Sequence, residues 1–102
     1  MYAAVLTYDL KSGKRDDFTA LVNSSTWDEM VALLRQVNGF KHIYGLMKEG
    51  SDKTLTVAVY ETEADALAAY ESPKVKEVWA KLTDYVDMSS ITRDVYEIVA
   101  EG

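Results

Sequence analysis

A chain of 102 residues with 48% apolar residues and a formal charge of −6 is the size of one domain, holds enough apolar material for a core, and opposes phosphate backbones and anionic bilayers. Nucleic acid and membrane surfaces are therefore not expected as partners. The absence of cysteine excludes disulfides, thiolate metal sites and cysteine nucleophiles, and gives no sign of an oxidising compartment, so a cytoplasmic setting is expected.

No Pro/Gly/Ser-rich linker divides residues 1–102, which read as one domain. The chain opens on a strand, Tyr2 to Leu10, whose two faces are both mostly apolar. Such a strand is covered on both sides. Because the apolar run is short and meets Asp9, neither a secretory leader nor a span of ~20 apolar residues is expected. Lys11-Ser12-Gly13-Lys14 turns the chain into an interrupted helix from Arg15 to Val37, with Asp16 and Asp17 where carboxylates suit a helix N-terminus. The interruption falls at Asn23-Ser24-Ser25. Thr26 and Glu29 have the spacing of a capping box for the second piece, which carries Trp27, Met30, Val31 and Leu34 at helical intervals. Asn38-Gly39 ends it, with Gly39 placed for a left-handed cap.

Phe40 to Glu49 and Thr54 to Glu61 read as a hairpin around Gly50-Ser51-Asp52-Lys53. A second interrupted helix runs from Ala64 to Val86, with Ser72 as N-cap and Pro73 at the first position of its second piece. Val75, Val78, Trp79, Leu82, Tyr85 and Val86 form its apolar stripe. A last strand runs from Ile91 to Ala100. The order β-α-β-β-α-β predicts an α+β, ferredoxin-like fold: a four-stranded antiparallel sheet with helices on one face. Its other face, apolar as well, is expected to meet a second copy of the chain in a homodimer.

Several local signatures then coincide: Lys11-Ser12-Gly13-Lys14 before Phe18, Asn38-Gly39-Phe40 leading to Tyr44, Thr56 to Tyr60-Glu61, Ser72-Pro73 with Val75, and the closing Val95-Tyr96-Glu97-Ile98. Together they resemble the dimeric α/β-barrel superfamily, and within it the antibiotic biosynthesis monooxygenase-like domains. The resemblance spans Tyr2 to Ala100 and implies two sheets paired into a barrel. It also implies activities as different as cofactor-free oxygenation of aromatic polyketides, quinol oxidation and oxidative haem degradation. Haem-degrading members use a helix histidine as axial ligand, and the best-matching position here is Trp79, whose indole nitrogen has no lone pair for iron. Many monooxygenase-like members carry Trp on the third strand and His on the next helix, where this chain has Tyr60 and Ala69 or Tyr70. No cofactor and no metal site are expected.

Strict alternation puts Phe40, His42 and Tyr44 on one strand face, so His42 and Tyr44 are candidate catalytic residues in a pocket between sheet and helices. There His42 would take a proton from a phenolic substrate whose anion donates an electron to oxygen. Tyr8, Tyr60 and Trp79 are candidate substrate-binding residues beside them. Each also has a plainer reading: His42 as a surface or sheet residue, the aromatics and Trp27 as packing, and Arg93 as a solvent or intersubunit ion-pair residue rather than one that orients an anionic substrate. Two functions follow. One is a cofactor-independent monooxygenase-like enzyme acting on a small aromatic or quinol-type molecule. The alternative is a non-catalytic dimeric module that binds a small ligand or only assembles.

Overall fold

The computed structural model describes all residues 1–102. Eight elements follow one another: β1 (Tyr2–Leu10), α1 (Arg15–Val22), α2 (Ser25–Leu34), β2 (Phe40–Met47), β3 (Lys53–Tyr60), α3 (Glu63–Ala69), α4 (Pro73–Ala80) and β4 (Val86–Glu97). The strands form one antiparallel sheet in the order β2-β3-β1-β4, and the fold is the expected α+β, ferredoxin-like one. The core lies between this sheet and the helices. Tyr8, Leu10, Ala58 and Tyr60 from the strands pack there on Met30 and Leu34 of α2 and Val75 and Val78 of α4.

Both helix interruptions are present, and both restart on a serine. Ser72 caps α4 by accepting from the Lys74 backbone N–H, with Pro73 at the first helical position, as its sequence predicts. The expected capping box at Thr26 and Glu29 is not the device used at α2. Ser24 takes that role: its extended backbone lets Oγ accept from the Thr26 N–H while the same hydroxyl donates to the Leu21 carbonyl. One side chain thus closes α1 and opens α2. Gly39 has a φ of 77°, and a Cβ there would overlap the Asp65 side chain, so both the turn and the close approach of α3 require glycine.

β4 begins at Val86, not at Ile91, and the helix before it ends at Ala80 rather than Val86. Leu82, Tyr85 and Val86 keep a helix-like spacing because consecutive turns link α4 to the strand, after which Val86 pairs with Leu10 and Asp87 with Asp9. The register then shifts, and Ser90 Oγ fills the gap by accepting from the Asp9 N–H and donating to the Asp87 carbonyl. A second irregularity lies in β2. Phe40 pairs with Tyr60 but His42 pairs with Val59, so Lys41 is an extra residue, a β-bulge, and its ammonium lies 3.6 Å from Glu61.

Candidate active site

Paired residues of neighbouring strands point to the same side of a sheet, so the registers assign each side chain to a face. Tyr8, Thr56 and Tyr60 face the helices. His42 and Tyr44 do not: the bulge at Lys41 moves them to the face of Val59 and Val57, away from Phe40, which stays on the helix side. The expected grouping of His42 and Tyr44 with Tyr8, Tyr60 and Trp79 is thereby corrected. An extra residue inverts every side chain that follows it, and strict alternation does not hold across it. On the open face the His42 and Tyr44 rings lie 6.3 Å apart, both exposed, among Leu46, Leu55, Val57 and Val59.

A cavity of about 270 Å³ lies between the helix-side face and the helices. Tyr8, Tyr60 and Trp79 line it, together with Thr56, Met30 and Tyr70. Apart from Thr54 its walls are otherwise apolar, and no carboxylate or imidazole reaches it. It exceeds the ~150 Å³ of an apolar cavity that admits benzene and approaches the ~300 Å³ lower end of ordinary ligand sites, a size suited to two or three fused rings.

The aromatic frame is fixed by edge-to-face packing. Tyr8 and Trp79 meet at 5.3 Å with planes 85° apart, and Phe40 braces Tyr60 at 5.9 Å and 72°. The Tyr8 hydroxyl and Thr56 Oγ1 share a 2.8 Å hydrogen bond that either oxygen can donate. Tyr70, at the C-terminal end of α3, has its hydroxyl buried without a protein partner, while its ring lies 5.2 Å beneath the Arg93 guanidinium.

Burial pushes the Tyr60 phenol up to about 12, helped by the neighbouring Tyr70. Burial also raises Tyr8, partly offset by the bond to Thr56. Tyr70 is raised by burial too, with Arg93 opposing and Asp94 reinforcing the shift. All three phenols are therefore neutral near pH 7, a state that can donate a hydrogen bond and cannot take a proton as a phenolate would. Three donors on an apolar wall can hold the oxygens of a flat ligand and stabilise negative charge developing on them.

Thr56 and Tyr70 are additional to the residues singled out as candidates. Thr56 was legible in principle as one of two polar positions, with Thr54, on the helix-side alternation of β3. Tyr70 was not, since its role depends on a helix end meeting β4, a contact that no local pattern encodes. No helix is long and apolar enough to cross a membrane.

No protein-family model and no curated protein matches the chain. Solved structures do. One is a Bordetella bronchiseptica protein provisionally named an antibiotic biosynthesis monooxygenase, with a TM-score of 0.77, 14% identity and 97% of each chain covered. A second is SnoaB from Streptomyces nogalater, a cofactor-independent oxygenase, with a TM-score of 0.70, 14% identity, and 98% of this chain and 94% of that one covered. The chain has the fold of the antibiotic biosynthesis monooxygenase-like proteins. Rv0793 from Mycobacterium tuberculosis shares it as well, at a TM-score of 0.68 and 14% identity over 98% of this chain and 96% of that one. At such identities the likeness carries the fold alone, and the chemistry rests on the cavity.

Proposed function

We propose that this chain is a cofactor-independent oxygenase of a small aromatic or quinol-type molecule, held in the cavity between sheet and helices. The observation that supports it most is a largely apolar cavity lined by three tyrosines, Tyr8, Tyr60 and Tyr70, the last with a buried hydroxyl that no protein group satisfies. A buried hydroxyl without a partner costs about 1–3 kcal/mol, and a ligand oxygen would relieve it. The likeness to SnoaB adds support at the level of fold.

On this reading the tyrosines do electrostatic work. An anthrone or hydroquinone bound against Tyr8, Tyr60 and Tyr70 has its enolate or phenolate form favoured by their hydrogen bonds, and its proton leaves to solvent. The anion passes an electron to oxygen. With an anthrone, radical recombination forms a C–O bond to a hydroperoxide; loss of water leaves a ketone, so one oxygen atom enters product and the other leaves as water. With a hydroquinone the same site acts as an oxidase: two electrons pass to oxygen, the two phenolic protons leave to solvent and the reduced oxygen takes up two, giving quinone and hydrogen peroxide. His42 and Tyr44 take no part. They belong to the open sheet face, which we assign to a second copy of the chain.

Oxygen uptake with a panel of anthrones and hydroquinones tests the proposal. Wild type should consume oxygen, and Tyr60→Phe and Tyr70→Phe should each lower turnover by about a hundredfold, the cost of one donor to a developing anion. His42→Ala and Tyr44→Phe should keep turnover. The lack of any carboxylate or imidazole in the cavity favours one rival, the non-catalytic ligand-binding module. Binding of the panel without oxygen uptake would establish that rival instead.

A further inference from the structure

Tyr70, Val75 and Trp79 line two spaces at once: the inner cavity and an outer hollow of about 370 Å³, whose other side is formed by Met88, Ile91 and Arg93 of β4. These three side chains form the partition between inside and outside. Arg93 stands at its outer edge. It is exposed, and its register partner Leu6 places it on the helix side of the sheet. It engages none of the carboxylates, since the ion pairs of the molecule are Lys14 with Asp17, Lys41 with Glu61 and Lys76 with Glu71. Lys76 and Glu71 both line this hollow and pair with each other, whereas Arg93 is in no ion pair.

We infer that Tyr70, Trp79 and Arg93 form the mouth of the cavity, and that Arg93 selects aromatic ligands bearing a carboxylate, ring inside and anion outside. The inference rests on the cavity being the binding site. A carboxylate drawn fully into the apolar interior would lose its hydration without compensation. Kept in the outer hollow it remains partly hydrated and meets a guanidinium, whose planar fork matches its two oxygens. Tyr70 couples the two ends: its ring face holds the guanidinium by a cation–π contact, and the same residue lines the inner cavity and carries a hydroxyl with no partner in the fold.

Calorimetric titration with 6-hydroxy-2-naphthoate and its neutral counterpart 6-hydroxy-2-naphthamide tests this. Wild type should bind the naphthoate about tenfold more tightly, the scale of a charge-assisted pair at a partly hydrated site, and the preference should shrink in about 0.5 M salt. Arg93→Gln should bring the two affinities together by weakening the naphthoate alone, and Arg93→Lys should restore part of the difference. A preference that survives Arg93→Gln, or equal affinities in wild type, overturns the assignment of Arg93 and leaves the cavity reading standing. Failure of wild type to bind either compound overturns both.

Discussion

Tyr70 carries the sharpest conflict between stability and function at the level of single residues. Its hydroxyl is buried and unpartnered, so Tyr70→Phe should stabilise the unliganded protein by about 1 kcal/mol in urea denaturation while weakening ligand binding. Destabilisation instead would mean that the hydroxyl is satisfied within the fold. His42 shows the opposite lesson. It is the sole histidine, and its chemistry draws attention in the sequence, yet one bulged lysine turns it to the far side of the sheet. Nothing in Phe40-Lys41-His42 announces that bulge, because alternation is a rule about regular pairing and Lys41 steps outside it. Tyr8 and Tyr60 were legible since no irregularity separates them from their neighbours in β1 and β3.

Among the elements, the short helices depend on their ends more than on their length. α1 has eight residues and α2 ten, too few for either to hold alone, so the cap between them contributes a large share of local order. Ser24→Ala should cost about 1 kcal/mol by thermal or urea denaturation, and Thr26→Ala clearly less, since Ser24 and not Thr26 supplies the cap. Equal losses would restore the capping-box reading. The break itself was visible in Asn23-Ser24-Ser25, whereas the residue in charge was not: three consecutive hydroxyl side chains, Ser24, Ser25 and Thr26, suit the role, and backbone conformation decides among them. β4 shows the same limit. Asp87, Ser89 and Ser90 fall between the expected helix and the expected strand, yet β4 has already begun there, and their polar groups satisfy the backbone where the register shifts.

For the molecule as a whole, the open sheet face is the outstanding feature. Tyr44, Leu46 and Tyr96 are 55%, 51% and 56% exposed, and with Val5, Leu55 and Val57 they make an apolar surface that no element of this chain covers. Such surfaces mark association, and we assign a second copy as the partner because a 102-residue protomer gains most from burying it. Sedimentation at micromolar concentration should show a dimer, and Val57→Arg, which sets a charge at the middle of that face, should shift it to monomers. A wild-type monomer under those conditions would refute the assignment. On that assignment we place His42 and Tyr44, which lie on this face, in assembly rather than in chemistry.

Local order was legible in the residues themselves: the sequence of elements, the serine restart before Pro73, the left-handed Gly39 and the two-sided apolar strands all follow from periodicities and backbone preferences that act over a few positions. Periodicity likewise offered Tyr8, Tyr60 and Trp79 as the lining of a pocket between sheet and helices, beside the plainer reading of packing. Only the tertiary structure decided which of them share it, because a face is inherited along a strand and one extra residue reverses it, as at Lys41. Only packing brought Tyr70 under Arg93, residues 23 positions apart on elements that meet solely because the sheet carries β4 beside β1. Pairing register and long-range contact are properties of the folded whole, and they are where the candidate chemistry resides.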